Sequence, residues 1–301
     1  MRRLVNQVAT LVLLLFANPV AACLNNHAAT KLDGSWQSSD DVNYSVPKPP
    51  VGRDLAAEAP INRQYLQQLN SRWNAHHRLA DYAGYGLVLV YLGRYAEARK
   101  VFEQLDIWQP NQYETAANLG TVYELLGLNK LALKWIRRSV QLNPQSHKGT
   151  EWLHINILRA KLRGTEAINA EYLLGVDFGQ GLAPVSNMRG GRLLDSVQYA
   201  LYYQLSERLS FVHSPDPIMA ELLFDLGNAY AITSNVESAL PVYDQAEHFG
   251  FHRRVLLKRR VYFWWLRSGQ GNLVTIGLLG LAGLLGFGLW QLGKADLRRL
   301  A

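Results

Sequence analysis

The feature that most constrains this chain is a 34-residue spacing in its first half. Four small or turn-forming residues recur one period apart, because Gly86, Gly93, Ala98 and Pro110 return as Gly120, Gly127, Ala132 and Pro144. Small residues let two helices approach closely, a turn glycine accepts a backbone that other residues resist, and proline ends a helix. One such hairpin cannot bury its own apolar face, so the period predicts stacked helical hairpins.

These positions, with the aromatic and aliphatic residues around them, resemble the signature of the tetratricopeptide repeat (TPR) family. In the first unit, 79–112, the matching residues are Tyr85-Gly86, Leu92-Gly93, Tyr95, Ala98, Phe102 and Pro110. The second unit, 113–146, keeps the pattern with Asn129 in place of the aromatic residue. The resemblance implies an all-α fold, a TPR-type helical hairpin solenoid.

A third, weaker unit spans 220–253. It keeps Leu226-Gly227, Tyr230, Ala239, Tyr243 and Ala246, but has Ser234 for the second glycine and Phe251 for the closing proline. The intervening residues, 147–219, have room for about two degenerate hairpins. Within them we predict helices at Thr150–Arg163 and Leu193–Leu209, separated by a short irregular loop insert at 174–192 that is rich in glycine.

Two further segments complete the central part of the chain. Asn62–Ala75 is amphipathic and predicts a leading helix that caps the first repeat, within a unit that spans 61–146. Residues 23–60 are rich in serine, asparagine, proline and aspartate and predict an extracytoplasmic linker. The block His147–His154, which follows the second repeat directly, resembles one in bacterial envelope TPR proteins.

The formal net charge of +7 is unevenly distributed. Arg2 and Arg3 contribute +2, the run 252–267 contributes +6 without an acid, and the tail from Lys294 contributes +2, which leaves −3 for the rest. The excess positive charge therefore borders apolar segments and does not cover a globular face. This distribution favours a lipid surface as the partner of these basic segments and argues against nucleic acid.

The N-terminus resembles a secretory signal peptide at 1–22. Two arginines precede the apolar run Val8–Ala17, and small residues precede Cys23, where Val20-Ala21-Ala22-Cys23 resembles a bacterial lipobox. In a lipobox Cys23 would be lipidated, whereas ordinary cleavage after Ala22 would leave it free. Either outcome predicts export of the chain from the cytoplasm.

The C-terminal part predicts one transmembrane helix. Residues 268–293 carry no charge, and a helix over 272–292 is long enough to cross a hydrocarbon core of about 30 Å. The basic-aromatic segment 254–271 precedes it, and we predict that Arg259, Arg260, Trp264 and Trp265 lie at the membrane interface. This topology predicts a single-pass inner-membrane protein with a periplasmic TPR domain and a cytoplasmic tail at 293–301.

The sequence contains no catalytic motif that we recognise, neither a Gly-x-Ser-x-Gly elbow nor a nucleotide-binding glycine loop. Asp177-Phe178-Gly179 matches a kinase tripeptide without the other kinase motifs. The single cysteine excludes a disulfide within the chain and a multi-cysteine metal site. We therefore predict no enzyme activity and no metal or cofactor.

A TPR stack instead offers a concave groove lined by residues of the first helix of each hairpin. The resemblance assigns a partner-binding role to these groove positions: Glu114, Asn118, Thr121, Glu124, Glu221, Asp225 and Asn228. The set is acidic to neutral, which predicts a neutral to basic segment of another envelope protein as partner.

Our leading hypothesis is a membrane-anchored scaffold or adaptor of the cell envelope. One alternative is an enzyme or solute-binding protein with its site in the 174–192 insert, where Asp177, Asn187 and Arg189 would converge in a deep pocket. Another is a structural homo-oligomer that associates through the glycine-rich membrane span.

Overall fold

A computed structural model describes residues 48–188 and 191–269, and in these ranges the chain forms helices and loops with no strand. The helices are α1 (Leu55–His76), α2 (Leu79–Tyr91), α3 (Tyr95–Trp108), α4 (Tyr113–Leu125), α5 (Asn129–Leu142), α6 (Glu151–Arg163), α7 (Ala170–Leu174), α8 (Gly191–Arg208), α9 (Pro217–Thr233), α10 (Val236–His248) and α11 (Arg254–Gly269).

Several predicted features lie outside the described residues. These are the signal peptide, Cys23, most of the linker, Arg189, the membrane span at 272–292 and the tail. Within the ranges that are described, no helix combines the length and apolarity that crossing a membrane requires.

Each of the three repeat units contains two helices that pack against each other: α2 with α3, α4 with α5, and α9 with α10. The glycines have the roles that the sequence assigns to them. A Cβ atom on Gly120 of α4 would lie 2.4 Å from Cδ1 of Ile136 in α5, so only glycine permits this approach. Gly127, in the turn between these helices, has a φ of +76°, which glycine adopts without strain.

The buried side chains form two apolar cores. The first joins α1 to the first two repeats through residues such as Leu69, Phe102 and Ile136. The second joins the third repeat to α8 and α11 through residues such as Leu201 and Tyr243. Helix α6 contributes to both cores, so it connects the two halves.

The segment before the first repeat differs from the expectation of a linker up to residue 60. Helix α1 already begins at Leu55, because the Asp54 carboxylate accepts a hydrogen bond from the Ala57 amide at 2.9 Å and caps the helix. Residues 48–53 pack against the third repeat and α8: the Lys48 carbonyl accepts a hydrogen bond from the Tyr230 hydroxyl at 2.9 Å, and the Arg53 amide donates to Ser210 Oγ at 2.9 Å.

Candidate functional site

The structure divides the predicted groove residues between two sites. Thr121 and Glu124 in α4 line a small pocket of about 60 Å³, whereas Glu221 and Asp225 in α9 line a separate cleft of about 190 Å³. The other three groove residues lie on the same two helices: Glu114 is partly buried, and Asn118 and Asn228 are 2% and 0% exposed. The prediction of one continuous groove is therefore not reproduced.

The face of the second repeat is occupied by the chain itself. Arg208, the last residue of α8, donates hydrogen bonds from both terminal nitrogens to the Glu124 carboxylate, at 2.7 and 3.2 Å. Lys161 and His154 of α6 also contact this carboxylate, at 2.7 and 2.6 Å. Phe211 and Val212 line the same pocket. Glu124 thus holds α4, α6 and α8 together.

A second carboxylate extends this cluster. Glu151, at the start of α6, lies 3.2 Å from His154 and also contacts His147, and all three side chains are about 2% exposed. His147 and Lys148 adopt left-handed backbone conformations in the turn before α6, which brings the His147 ring to Glu151. The block His147–His154, noted in the sequence, thus supplies three members of the cluster.

The charges in this cluster stabilise one another. Burial alone would raise the pKa of Glu124, but Arg208, His154 and Lys161 outweigh it and hold that pKa well below its ordinary value. Burial would likewise lower the pKa of His154, but the carboxylates of Glu124 and Glu151 outweigh it and raise that pKa. The cluster is therefore a buried structural network of paired charges.

The cleft at the third repeat remains open to solvent. It lies among α7, the loop that follows α7, α9 and the segment before α11. Its lining residues are Asn169, Ala170, Glu171, Val176, Asp177, Phe178, Gly179, Gln180, Glu221, Phe224, Asp225 and Arg253. With four carboxyl groups and one arginine, the lining is acidic.

The buried carboxyl groups of the cleft are only partly neutralised. Glu221 forms an ion pair with Arg253, whose side chain is 49% exposed. Asp225 is 1% exposed, and its Oδ2 atom has no hydrogen-bond partner in the part of the chain that the structure describes. Burial and the neighbouring Glu221 carboxyl raise the pKa of Asp225 well above its ordinary value, against the opposing charges of Arg253 and Arg259.

From the basic run we predicted that Arg259 lies at the membrane interface. In the structure its side chain is instead 0% exposed within the protein. Its guanidinium donates hydrogen bonds to the carbonyls of Phe178 and Gly179 at 2.8 and 2.7 Å, and to Asn228 Oδ1 at 2.6 Å. Arg259 therefore fastens α11 to the loop that forms one wall of the cleft. The sequence signal is its spacing, because Val255, Arg259 and Phe263 share one buried face of the helix.

Of the other predicted interface residues, Arg260 and Trp264 have side chains that reach the surface of α11. Arg260 contacts Asp244 at 2.9 Å and also pairs with Glu247, so it joins α11 to α10. Trp264 is 67% exposed, and Trp265 follows it in the same helix. Leu257 and Val261, which we did not predict, are 65% and 58% exposed and lie about two turns and one turn before Trp264.

Of the two predicted polar residues of the insert that the structure describes, Asp177 and Asn187, only Asp177 lines the cleft. The side chain of Asn187 instead accepts a hydrogen bond from the Asp177 amide at 3.0 Å and so shapes the loop. Among the residues that the structure describes, no group of three or more potential ligands is placed to hold a metal ion.

Comparisons with known proteins agree with the repeat pattern. Residues 113–146, which contain α4 and α5, match the family model of the tetratricopeptide repeat. Among solved structures the chain is similar to YrrB, described as a TPR protein with an unusual peptide-binding site, with 21% identity, coverage of 68% of this chain and 86% of that one, and a TM-score of 0.33.

The chain is also similar to a tetratricopeptide repeat protein from Parabacteroides merdae, at 15% identity, with coverage of 69% of this chain and 80% of that one and a TM-score of 0.35. Among curated proteins, none matches the sequence.

Proposed function

We propose that this chain, whose residues 113–146 form a tetratricopeptide repeat, is a membrane-anchored scaffold that binds another protein of the cell envelope. Tetratricopeptide repeats suggest protein–protein interaction, because stacked hairpins present an extended surface and need no chemistry of their own. The envelope location rests on the signal peptide and the uncharged C-terminal span that the sequence predicts.

The cleft at the third repeat is the binding site that we propose. It is the observation that carries the proposal, because the corresponding face of the second repeat is filled by Arg208 and Phe211. Its acidic lining fits a neutral to basic segment of the partner. Its volume of about 190 Å³ is below the roughly 300–1,000 Å³ of typical small-molecule sites, which favours a side chain of a protein over a free solute.

Helix α11 fits the anchored arrangement. Leu257, Val261 and Trp264 form an exposed apolar stripe at helical spacing, and the exposed cations Arg254 and Lys258 lie on the same helix. A stripe of this kind favours the headgroup region of a bilayer. A reporter enzyme fused after Ala301 should accordingly be active only as a cytoplasmic fusion, and periplasmic activity would overturn this topology.

Affinity purification of the full chain from envelope membranes tests the scaffold role. Asn118 and Glu124 are unsuitable for substitution because both are built into the fold, whereas Glu171 is exposed at the cleft. We expect Glu171→Lys to reduce recovery of a specific partner, and Asp195→Lys, an exposed charge reversal on α8, to leave recovery unchanged. Recovery of only a second copy of this chain, or equal recovery with both variants, would contradict the proposal.

A further inference from the structure

The buried carboxyl group of Asp225 has an unmet acceptor inside the cleft. Its Oδ1 atom accepts a long hydrogen bond from the Asn228 side chain at 3.4 Å, while Oδ2 accepts none. Buried acceptors without a donor are uncommon, and each costs free energy. This residue therefore points to a donor that the described residues, 48–188 and 191–269, do not provide.

Neither of the neighbouring arginines supplies that donor. Arg253 pairs with Glu221, and Arg259 donates to backbone carbonyls and to Asn228. The hydroxyl of Tyr243 in α10 donates to Asn228 Oδ1 at 2.7 Å. The hydrogen bonds that the structure shows for these three side chains are thus all directed to acceptors other than Asp225.

The rest of the lining combines a buried aromatic ring with exposed carboxylates. The Phe224 side chain lines the cleft, and the guanidinium carbons of Arg253 and Arg259 lie 5.9 and 5.3 Å from its ring centroid, within the range of cation–π contacts. The carboxylates of Glu171 and Asp177 are exposed at the edge of the cleft. These exposed carboxylates are suited to pair with a cation that enters the cleft.

We infer that this cleft receives an arginine side chain of the partner, whose guanidinium donates a hydrogen bond to Asp225 Oδ2. The inference rests on the proposed function and names the chemistry of the partner at that site. The planar guanidinium has five N–H donors, so it can serve Asp225 and still reach a carboxylate at the edge of the cleft.

Binding also changes the protonation of the cleft. Burial and Glu221 raise the pKa of Asp225, which makes its carboxylate easier to protonate while no cation is bound. The raised pKa already includes the opposing effects of Arg253 from the segment after α10 and Arg259 from α11. An arriving guanidinium favours the carboxylate, and the proton leaves to solvent. Affinity should therefore increase as the pH rises.

Saturation-transfer NMR on the full chain in detergent tests the inference with two probes. The peptide acetyl-Gly-Arg-Gly-amide should bind, and the same peptide with citrulline, which replaces the guanidinium by an uncharged urea, should bind about tenfold more weakly or worse. Asp225→Asn should reduce affinity for the arginine peptide by a similar factor. Asp195→Asn, on α8 outside the cleft, should not change it.

The Asp225→Asn variant is expected to fold, because an amide has nearly the size and shape of the carboxyl group that it replaces, and circular dichroism checks this directly. Equal binding of the two peptides, or full arginine binding by folded Asp225→Asn, would overturn the inference. Partner recovery from membranes is measured separately. If recovery of a partner depends on Glu171 but the arginine peptide does not bind, this inference is wrong and the scaffold role still stands.

Discussion

Glu124 connects three of the central helices through its carboxylate. Its carboxylate is 7% exposed and receives Arg208, Lys161 and His154 from two other helices. A buried pair adds little net stability over an apolar replacement, but removing one member leaves the opposite charges uncompensated.

We therefore expect Glu124→Gln to lower the free energy of unfolding by about 3–5 kcal/mol, measured by urea denaturation. Glu97→Gln, which removes an exposed partner of Arg94, is the matched control and should leave it unchanged. In Glu124→Gln/Arg208→Met the loss should be smaller than the sum of the two single losses. Purely additive losses would show that these two residues do not interact.

His154 gives the same cluster a pH dependence. Its pKa in the folded protein is raised above the ordinary value of 6.5, so its stabilising contribution is complete below 6.5 and is lost as the pH rises through the raised pKa. The pKa values of Glu124 and Glu151 are lowered below 4.5, so their contributions are present above 4.5 and are lost as the pH falls through the lowered values.

The difference in unfolding free energy between the wild type and His154→Gln should thus be largest below pH 6.5, while both carboxylates stay ionised, and should shrink as the pH rises through the raised pKa of His154. Urea denaturation at a series of pH values measures it. A difference that already shrinks below pH 6.5, as a lowered pKa would require, would contradict this prediction.

Among the helices, α11 differs most in its contacts from what the sequence predicted. The sequence presents it as one basic-aromatic run, whereas in the structure its buried face carries Arg259 into the loop after α7. The helix that leads toward the predicted membrane span is therefore fastened directly to a wall of the cleft.

Replacing Arg259 by methionine should free this loop, because the carbonyls of Phe178 and Gly179 lose their donor at a cost of about 1–3 kcal/mol each. Hydrogen exchange should then become faster for the amides of 176–188 and remain unchanged in α4 and α5. Arg254→Met, an exposed position at the start of the same helix, is the control. Unchanged exchange in the loop of Arg259→Met would rule out this role.

The elements of the repeats could be predicted because their signals are local. Gly86 and Gly120 each mark a close contact between the two helices of one 34-residue repeat. Hydrophobic periodicity predicted α6 and α8. The pairing of Arg208 with Glu124 joins residues 84 apart, and no local pattern indicates it. Arg259 was predicted to lie at a lipid surface because it belongs to a basic run. Its spacing from Val255 and Phe263, which places it on the apolar face of α11, was the better indicator of its burial.

At the scale of the whole molecule, the chain closes one part of its repeat surface and leaves another part open. Residues at the end of α8 fill the face of the second repeat, and residues 48–53 cross from the third repeat to α8. The cleft at Glu221 and Asp225 keeps an acidic lining, and no side chain within the described ranges fills it. The proposed scaffold role therefore places the partner at this cleft and not along the full stack.

Site-specific photo-crosslinking in intact membranes tests this account most directly. A photoreactive amino acid at Gln180, which lines the cleft, is compared with one at Gln141, which is exposed on α5. The account predicts a discrete product with one other envelope protein from position 180, weakened by Glu171→Lys, and none from position 141. No product from position 180, or the same product from both positions, would contradict the claim that the cleft binds a partner.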